Sequence, residues 1–529
     1  MVQGWTSRRY SLSIESILLS ESLLDAEKLF RAGDYRLCAA LCRTLLTCKP
    51  ADIALRHLLG VALARAGDGD DGAILLQQTL ADAPDNLALR MDCALSLDGM
   101  GDGTGAVRVL AEGCQYHPGD AELAARLARL LSAQDRHEDA RRVLEAGLAA
   151  RPSQLDLRGL LIAELAADLS LGPALRHLRI LEILVPGQSP IYANIGVLLQ
   201  SQGDLDDAIH YYRRAIALDA GNHVAHVNLG TALMTEGQFG QGFVHYERRL
   251  HLPDMPPPPV ALRSWRGEKL AGCTMLVTAE QGFGDMIQFV RFLPLLVAQG
   301  ARIWLECPVE LKRLLAALPF IEGVVSPGDT LPAAADWTIP LLSLPGLLGC
   351  GDDLRSDEIP YLKAGPGPLL PPDQRPRIGL VWSGRPAKGE LFIRRSLARR
   401  SCRLDELEAL WRRQEFRWFS LQLGDAAAQL AERRTPITDL APLIGDFADS
   451  AALMAQLDLL ISIDTASAHL AAALAVPTWV MLAPGQADYR WNGTRGGSLW
   501  YPKVRLFRAG TGGWPAVTEK IGAALNAIR

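Results

Sequence analysis

Residues 189–222 read SPIYANIGVLLQSQGDLDDAIHYYRRAIALDAGN, two helical stretches that meet at Gly203 and close on a new turn. The step this stretch defines repeats along the first half of the chain. Prolines stand at Pro50, Pro84, Pro118, Pro152 and Pro186, each 34 residues from the last. The same step links Gly33, Gly67, Gly101, Asp135, Leu169, Gly203 and Gly237. It also links Cys38, Gly72, Ala106, Ala140, Ala174, Ala208 and Gly242, all small residues. A fixed period of this length is a repeat architecture. Each unit reads as two antiparallel helices, with a turn near each member of the glycine series, a small residue where the helices cross closely, and a proline ending the second helix. Seven units cover about residues 17–252, within a solenoid domain set at 1–252. Leu169, in the place of the turn glycine, predicts an irregular fifth hairpin.

The period, with Asn194, Gly196, Gly203, Ala208, Tyr211 and Ala215 at their places, resembles the tetratricopeptide repeat. Such a solenoid presents a concave groove, which predicts a docked protein or peptide; scaffolding or self-association is the alternative. Asp68-Gly69-Asp70-Asp71 and Asp204-Leu205-Asp206-Asp207 look like sugar-nucleotide metal motifs. Both fall at the turn of the repeat, so they read as solvated turns and helix caps.

At 529 residues the chain needs several cores. A net charge of -5 gives neither a basic stripe for nucleic acid nor a lysine-rich block for an anionic membrane. Nine cysteines, odd in number and without a Cys-x-x-Cys pair, argue against a disulfide framework or zinc knuckle and for a reducing cytoplasm. Cys38 and Cys42 share a helix face and read as core. Arg8 and Arg9 precede an apolar stretch that Glu15 and Glu21 interrupt, so export is not expected. No uncharged apolar run approaches the ~20 residues of a membrane helix; Leu457 to Ala483 carries Asp458, Asp464 and His469. A soluble cytoplasmic protein is expected.

His251 to Trp265 contains Pro253 and Pro256 to Pro259, and residues 253–270 read as a stiff extended linker. Composition changes there: ten of the 11 Trp lie from Trp265 onward, and His469 is the one histidine beyond it. Thr274 to Ala279 reads as a buried strand, Gln281 to Asp285 as a turn, Met286 to Gln299 as a helix and Arg302 to Glu306 as a strand. A second α/β start follows the proline-rich residues 365–376, with strands at Arg377 to Trp382, Arg417 to Gln422 and Leu457 to Ile463. The class is α + α/β, with lobes at 271–365 and 376–529. A crevice beyond the carboxyl ends of their strands is the expected ligand site.

Two segments carry chemistry. Gly282-Phe-Gly-Asp285 lets backbone amides approach an anion or a sugar closely. It is not the dinucleotide fingerprint, because Ile287 stands at the third glycine position, and there is no Walker lysine. Leu457-Asp-Leu-Leu-Ile-Ser-Ile-Asp464-Thr-Ala-Ser-Ala-His469-Leu-Ala-Ala-Ala-Leu-Ala-Val-Pro477 is a strand, an Asp-Thr turn and an alanine-rich helix. It resembles the nucleotide-sugar loop of the glycosyltransferase family that includes the bacterial lipopolysaccharide heptosyltransferases. Gly284-Asp285 followed by Phe292-Leu-Pro294 resembles the matching first-lobe motif. Further matches are Ile378-Gly-Leu-Val-Trp-Ser-Gly384, Arg395-Ser-Leu397, Asp488-Tyr-Arg-Trp491 and Trp500-Tyr-Pro502. The resemblance spans roughly Cys273 to Arg508 and is closest to solenoid-fused members.

It implies a GT-B arrangement of two Rossmann-type lobes, acceptor side first and donor side second. It also implies a metal-independent, inverting transfer of sugar from a nucleoside-diphosphate donor, without a separate cofactor. Asp285 would be the general base, with Gly284, Ser383, Gly384, Asp464, Thr465 and His469 against the donor, and Lys388 and Arg395 stabilising the leaving diphosphate. This chain has Arg385-Pro386 and Phe392-Ile393-Arg394 where relatives carry Asn-Pro and Asn-Asp. Structural alternatives stand beside each role: Asp285 as a helix cap, His469 as a core histidine, Asp464 as a turn former, and Trp491, Trp500 and Tyr501 as a lobe seal. A non-catalytic adaptor and an epimerase remain the rival functions.

Overall fold

The computed structural model describes residues 23–528 except 254, 256–261, 331–334, 355–357, 386–394, 396–397, 433–434, 485–487 and 492–495. The chain divides into two compact units, Met1–Ala166 and Ala167–Arg529. No helix among the described residues is long and apolar enough to cross a membrane.

In the first unit, helices Tyr35–Cys48, Ile53–Ala66, Gly69–Asp82, Leu87–Gly99, Gly103–Tyr116, Ala121–Ala133 and His137–Ala150 follow one another at half the repeat period. Asp52, Asn86 and Asp120 start their helices by accepting the amides of Leu55, Leu89 and Leu123. Gly33, Gly67 and Gly101 turn the chain with φ of 85°, 103° and 85°, a conformation that side chains with a Cβ resist. A Cβ on Gly72 would lie 2.7 Å from the Gly60 carbonyl oxygen, so the paired helices meet at backbone contact. Cys38 and Cys42 are fully buried. Asp68 and Asp204 sit at helix N-cap positions, but neither side chain makes a capping hydrogen bond.

The second unit continues the array with Leu171–Leu184, Ser189–Gln202, Leu205–Leu218, His223–Thr235 and Phe239–Tyr246. Leu169 takes φ 58° without being glycine, and its flanking helices keep lengths of 13 and 14 residues. The irregularity expected of that hairpin is thus confined to one strained residue. The last of these helices packs on the sheets that follow. Phe239, Phe243 and Tyr246 of the last helix lie in one core with Phe289, Phe292 and Trp500, so the last hairpin is part of the α/β body. Most of the proline cluster expected to form the linker lies outside the described residues.

Two parallel sheets follow. The first contains β1 (Arg263–Ser264), β2 (Thr274–Thr278), β3 (Arg302–Glu306), β4 (Ile321–Val325) and β5 (Trp337–Pro340) in the order β1-β5-β2-β3-β4. The second contains β6 (Arg377–Val381), β7 (Arg417–Ser420), β8 (Thr438–Asp439), β9 (Leu459–Ile463), β10 (Thr478–Leu482) and β11 (Val504–Arg508) in the order β11-β10-β9-β6-β7-β8. β9 and β10 are buried throughout, which is why they read as unbroken apolar runs rather than alternating ones. In the second sheet the chain winds outward from β6 through β7 to β8, returns to β9 and winds the other way, the order of a doubly wound sheet. The first sheet makes the same reversal between β4 and β5.

The helix expected over Met286 to Gln299 begins earlier and is broken. Phe283–Phe289 is followed by a tighter turn, Val290–Phe292, and then by Leu293–Ala298. Pro294, lacking an amide hydrogen, sits in the first turn of the last piece, where that loss costs nothing.

Candidate functional site

Each sheet reverses its winding beside a central strand, β2 in the first and β6 in the second. The segments leaving the carboxyl ends there converge on a crevice of about 1090 Å³. Gln281 to Asp285 come from the end of β2, Ser383 to Arg385 from β6, Leu421 to Ala426 from β7 and Asp464 to Ser467 from β9. Among the sequence-selected residues, Gly284, Asp285, Ser383, Gly384, Asp464, Thr465 and His469 all line this one crevice.

Asp285 opens helix Phe283–Phe289. Its Oδ2 accepts the Gly282 amide at 3.0 Å, a capping arrangement, while Oδ1 is paired with Arg490. Arg490 also donates to Asp488 at 3.2 Å and to Gln288 Oε1 at 3.0 Å, and its guanidinium lies 4.2 Å from the Tyr489 ring centroid. Burial would lower its pKa, but the Asp285 and Asp488 carboxylates, with Tyr489, hold it well above the usual value. Arg490 is therefore a fixed cation that joins the two sheets across the crevice.

Gly284 lies at a close approach of the lobes. A Cβ there would lie 2.8 Å from His469 Cδ2 and 3.6 Å from the Ala466 Cα. His469 is held from behind by Tyr501 Oη, 2.9 Å from Nδ1, and its ring centroid is 4.7 Å from that of Trp491. Burial, aided by the cationic Arg490 and opposed by Asp488, lowers its pKa to about 3, so the imidazole is neutral at physiological pH.

Asp464 accepts Trp491 Nε1 at 2.7 Å through Oδ1 and Arg400 at 2.9 Å through Oδ2. Thr465 is the N-cap residue of Ala466–Ala473, whose first residues face the crevice. Ser383 and Gly384 leave β6 with their amides bonded to Gln422 Oε1 at 2.8 Å and to Ser401 Oγ at 3.1 Å. Gln422 returns Nε2 to the Ser383 carbonyl at 3.0 Å and so clamps the ends of β6 and β7 together.

Arg395, expected against a diphosphate, does not line the crevice: it reaches the Ala167 carbonyl at 3.3 Å and Asp168 at 3.4 Å. Lys388 lies outside the described residues. Among the described residues, the cations that line the crevice are Arg385, Arg400 and Arg490. Arg490 was within reach of sequence reasoning, because Asp488-Tyr-Arg-Trp491 was already marked. Arg400 was not, since only the fold brings it to Asp464, 64 residues away. Trp491, Trp500 and Tyr501 are fully buried; Trp500 packs against Phe289 and Phe292 of the first lobe, and the Arg291 guanidinium lies over the Trp500 and Tyr501 rings. Among the described residues no group of three or more His, Cys, Asp or Glu is arranged to hold a metal.

Residues 99–163 and residues 189–222 each match the tetratricopeptide repeat family. Protein FlbA of Caulobacter vibrioides is 25% identical over 302 residues, 50% of this chain and 48% of FlbA, so the chain spans about half the length of that curated relative. Among solved structures, a tetratricopeptide repeat protein from Parabacteroides merdae is 13% identical with a TM-score of 0.32, over 44% of this chain and 93% of that one. MamA from Desulfovibrio magneticus RS-1 is 19% identical with a TM-score of 0.29, over 32% and 97%. YrrB, described as a tetratricopeptide protein with an unusual peptide-binding site, is 13% identical with a TM-score of 0.30, over 35% and 95%. The chain thus carries tetratricopeptide repeats within residues 99–222, in a helical solenoid followed by parallel-sheet α/β structure.

Proposed function

We propose that the α/β body is a two-lobed GT-B glycosyltransferase and that the solenoid recruits its acceptor, a protein or a surface glycan. The observation that supports this best is the convergence of both switch points on one crevice, with Asp285 on one wall and Ser383, Gly384, Arg385, Arg400 and Thr465 on the other. The second wall suits a nucleoside diphosphate: strand-end backbone, a helix N-terminus at Ala466, and two guanidinium groups. In the proposed reaction an acceptor hydroxyl oxygen attacks the anomeric carbon as Asp285 takes its proton. The bond from that carbon to the phosphate oxygen breaks with inversion, and the diphosphate leaves with the electron pair toward Arg400 and Arg385. Asp285 Oδ1 is occupied by Arg490, so this role requires the pair to open as the acceptor enters.

That same occupancy, with both Asp464 oxygens engaged, favours a second reading in which the lobes bind a ligand without turning it over. Calorimetry with a panel of nucleoside diphosphates and their sugars separates the two when joined to a transfer assay read by product mass. The expected result is one diphosphate that binds wild type, binds Arg400→Ala about tenfold or more weakly, and binds Asp285→Asn normally while transfer is lost. Binding without transfer in wild type supports this second, non-catalytic reading. Conversion of the donor without acceptor indicates an epimerase, and no binding by folded protein overturns the nucleotide-sugar proposal.

A further inference from the structure

We infer that the last hairpin of the solenoid is part of the crevice machinery, with Tyr246 and Arg249 as positioning residues for the loop Glu280 to Asp285. The inference rests on the crevice being the ligand site proposed above. Arg249 lies in the turn Glu247–His251 directly after helix Phe239–Tyr246 and is fully buried. Its Nε donates to Glu280 Oε2 at 3.0 Å and its Nη2 to Glu280 Oε1 at 2.6 Å and to Ser343 Oγ at 2.8 Å. Glu280 Oε1 also accepts the Leu342 amide at 2.9 Å. Glu280 stands two residues beyond β2 and Leu342 two beyond β5, the neighbouring strands on either side of the first sheet's reversal. One solenoid guanidinium therefore pins both strand ends that form the switch point.

The next link is Tyr246, whose hydroxyl accepts Gln281 Nε2 at 2.6 Å. Gln281 is held at φ 61°, a conformation a non-glycine residue adopts only when its surroundings impose it. Gly282 then donates to Asp285. On the opposite wall, Phe239 packs edge-on against Trp500 at 5.4 Å, Arg291 donates to the Trp500 carbonyl at 2.9 Å, and the following Tyr501 holds His469. The hairpin thus supports both walls. A buried ion pair adds little stability over a well-packed apolar contact, but a fork-to-fork guanidinium and carboxylate fix orientation, which is what a loop bearing a reactive carboxylate requires.

Hydrogen exchange on the full chain, wild type against Tyr246→Phe and Arg249→Met, tests this together with calorimetry using the nucleoside diphosphate panel. Amides of 281–289 are expected to exchange about fivefold faster in Tyr246→Phe and about a hundredfold faster in Arg249→Met, with helices Ser189–Gln202 and Leu205–Leu218 unchanged and nucleotide affinity reduced. Folded variants that leave exchange over 281–289 at the wild-type rate overturn the inference. If Arg249→Met does not fold, Tyr246→Phe alone decides. If wild type binds no diphosphate, the ligand proposal falls, and the exchange data still decide whether the hairpin positions the loop.

Discussion

Gly284→Ala is the sharpest test of how the lobes meet. The added methyl would stand 2.8 Å from His469 Cδ2. Ordinary carbon contacts begin near 3.5 Å, so the gap must widen by about 0.7 Å. His469 has no easy retreat, because Tyr501 bonds its Nδ1 and Trp491 covers its face. The methyl therefore separates helix Phe283–Phe289 from helix Ala466–Ala473. Overpacking of this kind costs about 2 kcal/mol, which for a unit of this size lowers the calorimetric Tm by about 3 °C. The test is a double-mutant cycle with His469→Ala, which removes the ring the methyl meets. The double variant is expected to be more stable than the sum of the single effects predicts, with a coupling of about 1 kcal/mol or more. Additive losses would mean that Gly284 and His469 do not touch and that the lobes meet elsewhere.

Asp464→Ala is expected to lower stability by about 2–3 kcal/mol, because it leaves the buried Trp491 Nε1 without its acceptor and Arg400 without its anion; chemical denaturation reads the loss, and a change under about 0.5 kcal/mol would refute the assignment. Leu169→Gly is expected to stabilise the chain by about 1 kcal/mol by relieving φ 58°; a lower Tm would mean that the leucine contributes more by packing than it loses by strain. His469, near 6.5 when unfolded and about 3 when folded, stays neutral in the native state while the unfolded chain takes up a proton. Stability from this residue is complete above pH 6.5 and is lost as pH falls toward 3, by about 5 kcal/mol in all. Denaturant midpoints between pH 7 and pH 5 should fall less steeply in His469→Gln, and equal slopes would refute the buried neutral imidazole.

The periodic half of the chain was legible because each repeat solves the same local problem with the same residue types: a small residue at the crossing, a left-handed turn and a proline stop. The strand, turn and helix around Asp464 were legible for a related reason. β9 and the alanine-rich helix are buried on all sides, and burial writes itself as continuous apolar sequence. What escaped were long side chains that act at a distance. Arg249 meets Glu280, Arg490 meets Asp285 and Arg400 meets Asp464 only after the chain has folded, and nothing in the sequence around an arginine says which carboxylate it will find. β1, β4, β5, β8, β10 and β11 also escaped: β1 and β8 are two residues long and β4 is half-exposed, so they carry little apolar pattern, whereas β10 is as buried as β9 and follows the alanine-rich helix with no break in apolar sequence to set it apart. The proline cluster suggests a linker and gives no sign of the shared core through which Phe239, Phe243 and Tyr246 bind the last hairpin to the lobes.

The crevice separates into two rings of side chains. The inner ring is His469, Trp491, Tyr501 and Arg291, all buried and mutually engaged, with Arg291 lying 4.7 Å from the Tyr501 ring centroid. Burial, with Arg490 and Arg291 nearby adding to it, is why the His469 imidazole stays neutral. The outer ring, Ser383, Gly384, Arg385, Arg400 and Thr465, borders the open space of the crevice. Asp464 connects them, one oxygen on the indole of Trp491 and the other on the guanidinium of Arg400. Substitutions in the inner ring should therefore lose stability and ligand binding together, while Arg385→Ala should lose binding with Tm nearly unchanged and Arg400→Ala, which leaves the buried Asp464 carboxylate without its cation, should lose binding with a smaller loss of stability than Asp464→Ala. An outer-ring variant that unfolds the lobes, or an inner-ring variant that loses binding at full stability, would place the ligand on the other ring and reassign Asp464 from scaffold to contact.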